Sequence, residues 1–300
     1  MKKRYIALSV LLIIIGLTLC IVPICLSGFR FLDMFDGNSV QKTYEIVGDI
    51  ASINIKDLDS DVVIRKSHDG VSKIVYYDNN RYTTVISEEN GALTISSDYD
   101  GKWYNYIGVM SSDKDAVIYL AKDVYDSLYV DSDTCDIKNA EGVSFNTVNI
   151  ALSTGDVELG NMKAGELSIS VSTGDIDLDR IECSSLNVSA TTGDLELDSV
   201  KAAEISLSTS TGDINLEDVV SDGLLNIKTT TGDVELEGCD GSEIRIKTSS
   251  GDVEGYFLSG KKYQVYTSTG RVRVPEDAGN ESCEIRTSTG DVIIAMGDRD

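Results

Sequence analysis

Histidine is almost missing from this chain. Among 300 residues only His68 occurs, in the turn-like stretch KSHDG. One histidine excludes a His-based zinc site, and the six cysteines lack the close spacing of metal ligands. No glycine-rich phosphate loop, nucleophile elbow or triad order occurs. No catalytic residue, resident cofactor or small-molecule substrate is therefore expected. Bases are scarce too: 26 Lys and Arg stand against 50 Asp and Glu, a net charge of −24. Such a surface repels nucleic acid and anionic lipid, so no nucleic-acid partner is expected. It also keeps a strand-rich protein soluble and discourages edge-to-edge sticking.

Long apolar runs are missing as well, except at the amino end. From Ile6 to Leu26 about 21 residues carry no charge, enough to cross a bilayer as a helix. Lys2, Lys3 and Arg4 precede the run, which sets the start in the cytoplasm and everything after the span outside the cell. A signal peptide cut after Ser27 is the alternative. A lipoprotein site is disfavoured, because Leu19 and Ile24 are too large before Cys20 and Cys25. The expected layout is a cytoplasmic start and membrane helix over 1–27, then a juxtamembrane linker over 28–43. Irregular coils and a cap follow over 44–130, and regular repeats over 131–297. The expected location is the cell membrane, single-pass, with residues 6–26 as the membrane contact.

What the chain has in plenty is one phrase: LSTGDVELG, VSTGDIDLD, ATTGDLELD, TSTGDINLE, TTTGDVELE and TSTGDVIIA. Its glycines are Gly155, Gly174, Gly193, Gly212, Gly232, Gly251, Gly270 and Gly290, spaced 19 or 20 residues apart. Cys135, in SDTCDI, fills the glycine slot of an earlier copy. A fixed period of that size marks a solenoid. Counted from the glycine, slots −7, −5 and −3 hold Leu167, Ile169 and Val171 in one copy and Leu186, Val188 and Ala190 in the next. Slots +2 and +4 hold Ile176/Leu178 and Leu195/Leu197, and slot +7 holds Ile181, Val200, Val219 and Cys239. Apolar and polar residues alternate with period two, which is half-buried strand. The expected fold is all-β: a single-stranded parallel β-helix, or β-solenoid, with 19–20-residue coils stacked ~4.8 Å apart. Crossover preference favours the right-handed sense.

In each turn the glycine supplies a positive φ, and the aspartate accepts nearby backbone N–H groups. A second reading makes the aspartates a calcium ladder: Asp156, Asp175, Asp194, Asp213, Asp233 and Asp252, with Asp136 and Asp291, form one column of like charge that a cation would bridge. Arg271 is expected to interrupt that column. One aspartate per coil supplies few oxygens unless neighbouring coils share. The paired threonines Thr209/Thr211, Thr229/Thr231 and Thr287/Thr289 are expected inside by parity, which argues against an ice-binding face.

The coil grammar starts earlier. Ile53 and Ile55 match slots −7 and −5 if Ser60 takes the glycine slot, and Val62 and Ile64 match +2 and +4. Asn90-Gly91 is expected to close a hairpin. Trp103, Tyr104 and Tyr106 make an aromatic loop, read as a seal over the first coils or as a binding site. The Gly290 copy is expected to end the rod, with an edge blunted only by charge or used for end-to-end assembly. Cys239 and Cys283 fall three coils apart in chain order, as do Cys183 and Cys239, too far for disulfides.

An early DVVIRKS strand, the passage VIYLAKDVYDSLYVDSDTCDI and the serial STGD coils resemble the putative adhesin β-helix family of bacterial membrane-anchored surface proteins, a domain of unknown function. The resemblance covers about residues 44–295. It implies a parallel β-helix at the cell surface and carries over no catalytic residue. Three functions follow in order: a non-catalytic adhesin-like or binding module with a cell-surface or membrane-protein partner; an accessory or sensor of an envelope-stress system; and a polysaccharide-active enzyme.

Overall fold

A computed structural model describes residues 39–58, 60–78, 82–99, 114–139, 142–276 and 279–296. The expected membrane helix, the linker up to residue 38 and the aromatic stretch Trp103–Tyr106 lie outside these residues. Every regular element among the described residues is a β-strand. No described helix is long and apolar enough to cross a membrane.

The repeats stack as parallel coils with like residues meeting like. Val157–Thr173 runs beside Ile176–Thr192, with Leu167 opposite Leu186, Ile169 opposite Val188 and Val171 opposite Ala190. Ile176–Thr192 in turn pairs with Leu195–Asp198 and Lys201–Ser208. The apolar slots named above are all buried, and they form one continuous column. A one-residue slip would carry the whole apolar set of a coil to the solvent face, so the pattern fixes the register.

The spacing of 20 between Gly212 and Gly232 is absorbed locally. Ala202 pairs with Ser221 but Ile205 pairs with Leu225, so the extra residue sits in a bulge before Leu225. The strand Val234–Lys247 realigns on the other side between Ser221 and Leu224. A bulge confines the insertion and keeps the inward slots in line.

Five successive coils, from the Gly155 copy to the Gly232 copy, also have a second corner six residues after the glycine. Asn161, Arg180, Ser199 and Asp218 lie there with φ from 51° to 56°, and Gly238 with φ 65°. The left-handed residue turns the chain so that slot +7 faces inward again. Because five residue types fill it, this corner left no motif in the sequence.

Stacking order departs from chain order at both ends. Ser52–Lys56 lies between Ala92–Tyr99 and Val124–Thr134, and Val62–Lys66 lies between Ala116–Leu120 and Ile137–Asn139. The first coil of the chain is thus inserted beneath the second. At the far end, Glu281–Arg286 lies between Val234–Lys247 and Lys261–Tyr266, and Val292–Met296 lies between Val253–Phe257 and Val272–Arg273. The Gly270 copy is therefore outermost, not the Gly290 copy. Side-chain content explains the exchange. Cys283, Ile285, Val292 and Ile294 are apolar and become fully buried, whereas Tyr263 and Val265 stay half-buried and Val272 is exposed.

The amino-side end is covered by antiparallel strands. Lys73–Asp78 lies against Ala116–Leu120 and carries Val40–Glu45 on its other edge. Tyr82–Glu89 folds back on Ala92–Tyr99 through Asn90 and Gly91, with φ 52° and 77°, the expected hairpin. Cys135, Cys183, Cys239 and Cys283 are free. Insertion of the last coil sets Cys283 opposite Ile244, so it lies two coils from Cys239 and not three. Burial pushes the thiols of Cys239 and Cys283 up to about 12, which leaves them unreactive at neutral pH.

Candidate functional site

The repeated turn forms one column along the solenoid. At the glycine the backbones of adjacent coils nearly touch: a Cβ on Gly174 would meet the Gly155 carbonyl oxygen at 2.0 Å, and one on Gly193 the Gly174 oxygen at 1.9 Å. Six of the eight glycines also have φ of 139–153°, Gly290 has 155°, and only Gly251 lies outside the left-handed region. Close approach thus demands glycine even where φ does not. Cys135 escapes by burying its side chain, which donates its S–H to the Ser60 carbonyl at 3.3 Å.

The aspartates are bonded between coils rather than within their own turns. The N–H of Asp156 donates to Oδ1 of Asp136, that of Asp175 to Asp156, and so on through Asp194, Asp213, Asp233, Asp252 and Asp291, at 2.7–2.9 Å. The column begins one coil earlier than its motif, at Asp61, which accepts the N–H of Asp136 at 3.0 Å. Burial, with repulsion from Asp136 and Asp115, pushes the Asp61 carboxyl above its ordinary range. Arg271 does not interrupt the ladder. It closes it, donating its N–H to Asp291 Oδ1 at 2.7 Å and its Nε to Oδ2 at 2.8 Å. These bonds hold the Asp291 carboxyl below the usual range.

Among the described residues no group of three or more His, Cys, Asp or Glu side chains is placed to hold a metal ion. Asp213→Asn keeps the Oδ1 acceptor and is expected to cost under about 0.5 kcal/mol. Asp213→Ala strands the Asp233 N–H and is expected to cost about 1 kcal/mol. Urea unfolding checks both. EDTA is expected to leave the thermal midpoint unchanged, and a fall restored by added calcium would assign a cation to the column.

The threonines divide at the turn. Thr209, Thr229 and Thr287 are buried as parity requires, but Thr211, Thr231 and Thr289 are exposed, because alternation stops at the bend. The inward ones have a task. Thr209 Oγ1 donates to the Gly193 carbonyl at 3.1 Å, Thr229 to Gly212 at 3.3 Å and Thr287 to Gly251 at 3.3 Å. Each satisfies a carbonyl from the next turn of the stack.

A cleft of about 370 Å³ opens on the outer wall after the turn, lined by Arg65, Asp115, Lys138, Glu158, Asp177 and Asp179 among others. Lys138 Nζ bonds Glu158 at 2.8 Å. Burial, with repulsion from Glu158, Asp179 and Asp198, pushes the Asp177 carboxyl up. Asp179 Oδ1 is buried without a partner. His68 lies apart from the cleft lining, exposed in a bend.

One buried charge was not legible in the motif. Lys261, fully buried, donates from Nζ to Asp240 and Glu281, to the Gly241 carbonyl at 2.7 Å and to Ser259 Oγ at 2.9 Å. Its partners come from two coils, so the cluster ties the inserted last coil to its neighbours. The signal available was a lysine beside the Gly260 turn, indistinguishable in sequence from a surface base.

Parallel in-register coils and one glycine–aspartate column define the class: a β-solenoid repeat protein. The chain belongs to the Toastrack DUF4097 family, whose model matches residues 50–294. Among solved structures, a putative adhesin from Bacteroides fragilis is similar at 12% identity, covering 86% of this chain and 97% of that one with a TM-score of 0.50. A putative adhesin from Parabacteroides merdae is similar at 14% identity, covering 85% and 97% with a TM-score of 0.51. These likenesses show the fold and bear out the resemblance drawn from the repeats. No curated protein matches the chain.

Proposed function

We propose that the protein is a non-catalytic binding module displayed at the bacterial surface, tethered through residues 6–26 with the solenoid outside the cell. The observation that carries this reading is the long regular wall. Its outward slots align polar side chains coil after coil, as in the row Ser168, Asn187, Ser206, Asn226 and Arg245. Such a strip suits many weak contacts with a large partner better than the turnover of a small one. The structurally similar putative adhesins support the same reading.

The test compares cells with and without the gene for attachment to a surface and to one another, with protease added to intact cells to establish exposure. Reduced attachment and external cleavage of the solenoid are expected. Unchanged attachment together with greater sensitivity to envelope damage would replace this reading with that of a stress accessory. New chain ends released from acidic glycans by the protein would replace it with an enzyme working in the carboxylate cleft.

A further inference from the structure

We propose that the outermost coil at the carboxy-side end is a docking edge that takes up an acidic, extended peptide segment as an added strand. This deepens the binding-module reading and rests on it.

The two ends of the solenoid are not alike. At the amino side, antiparallel strands lie against the outermost coil. At the other end, Lys261–Tyr266 and Val272–Arg273 pair on one side only among the described residues, with Glu281–Arg286 and Val292–Met296. The repeat shows what the free side offers. Gly290 N–H donates to the Thr269 carbonyl at 3.0 Å and Val292 N–H to the Arg271 carbonyl at 2.8 Å, each reaching outward to the next coil. Gly270 and Val272 hold the same slots in the outermost coil, so their N–H groups face the open end. A strand edge of this kind binds extended peptide through main-chain hydrogen bonds.

Charge selects the occupant. Every other coil of the ladder carries aspartate in the slot after the glycine, and the outermost carries Arg271. Two residues on, where Glu158, Asp177, Glu196, Glu235 and Glu254 stand in other coils, it carries Arg273. Lys262 and Arg273 are exposed. Beside them Tyr266 is 50% exposed and Val272 48%, giving an apolar footing. In a chain of net charge −24 this edge carries the exposed bases Lys262 and Arg273, beside Arg271, which is held by Asp291. A second copy fits poorly. Two such ends meeting about a two-fold axis would oppose Lys262, Arg271 and Arg273 to themselves, and head-to-tail stacking meets the covered amino-side end.

The experiment titrates the full chain in detergent against two labelled peptides, one alternating Glu and Val, the other Lys and Val, read by fluorescence anisotropy. Bulk charge favours the lysine peptide, and only the local end predicts the reverse. The acidic peptide is expected to bind saturably and at least about tenfold more tightly than the lysine peptide. Lys262→Glu with Arg273→Glu, both at exposed positions, is expected to weaken it about tenfold. Val272→Pro, which removes one edge N–H and no charge, is expected to weaken it several-fold. Circular dichroism confirms that the variants are folded. Equal binding of the two peptides, no saturable binding, or full binding by both variants overturns the proposal. So does a dimer that Val272→Pro dissolves, which would assign the edge to a second copy. Because the titration involves no cells, a failure of cell attachment leaves its outcome separate.

Discussion

Gly193→Ala is expected to destabilise the solenoid by roughly 3–5 kcal/mol, a large effect for one methyl group. Two costs add. The residue has φ 148°, a region that a side chain resists, and its new Cβ would lie 1.9 Å from the Gly174 carbonyl oxygen. That oxygen belongs to backbone bonded into the stack, so relief requires the two coils to part and the bonds around them to stretch. Two controls separate the costs. Gly70→Ala, with φ 75° and nothing within 4 Å of the new Cβ, meets only the conformational cost, about 1–2 kcal/mol. Gly251→Ala meets only the contact, at 1.9 Å from the Gly232 oxygen. Long repeat arrays lose all-or-none unfolding, so hydrogen exchange in the flanking coils should be read beside the thermal midpoint. Equal losses for Gly193→Ala and Gly70→Ala would mean that coil-to-coil contact at the turn contributes nothing.

Removing both carboxylates around Lys261 is expected to cost more than removing the lysine. Asp240→Asn with Glu281→Gln leaves an ammonium that is fully buried and has lost both counter-charges, a change worth about 3–5 kcal/mol. Lys261→Met leaves carboxylates whose side chains are 21% and 44% exposed and already reach water, at a cost of about 1–2 kcal/mol. The loss should appear first as faster hydrogen exchange in Glu281–Arg286, the strand that the cluster holds in place. Adding Lys261→Met to the double variant should recover most of the stability. A triple variant no more stable than the double would show that the carboxylates act through packing and not through the buried charge.

The glycine period, the alternation on either side of it and the one-charge-per-coil turn were all written in the residues, because each coil repeats the same steric problem and answers it with the same side chains. Ser60 in the glycine slot marked an early coil, but the aspartate column read from the motif began at Asp136, and only the stacking extends it to Asp61. The second corner was not readable, since Asn, Arg, Ser, Asp and Gly all serve there and no single chemistry marks it. The direction of the aspartate bonds was not readable either. A carboxylate beside a turn can accept from its own turn or from the next coil, and only the stacking distance selects the second.

Sequence by itself therefore determined the coil: its length, its inward residues, its parallel register and its acidic exterior, all of which follow from local alternation repeated at a fixed period. Tertiary structure alone decided the order of the coils at the two ends. Stacking rewards whichever coil best fills the interior, so the Gly290 copy, with Cys283, Ile285, Val292 and Ile294 inward, was drawn inside and the half-exposed, arginine-bearing Gly270 copy was left at the edge. Chain order carries no record of that choice, because it is a comparison between two coils and not a property of either.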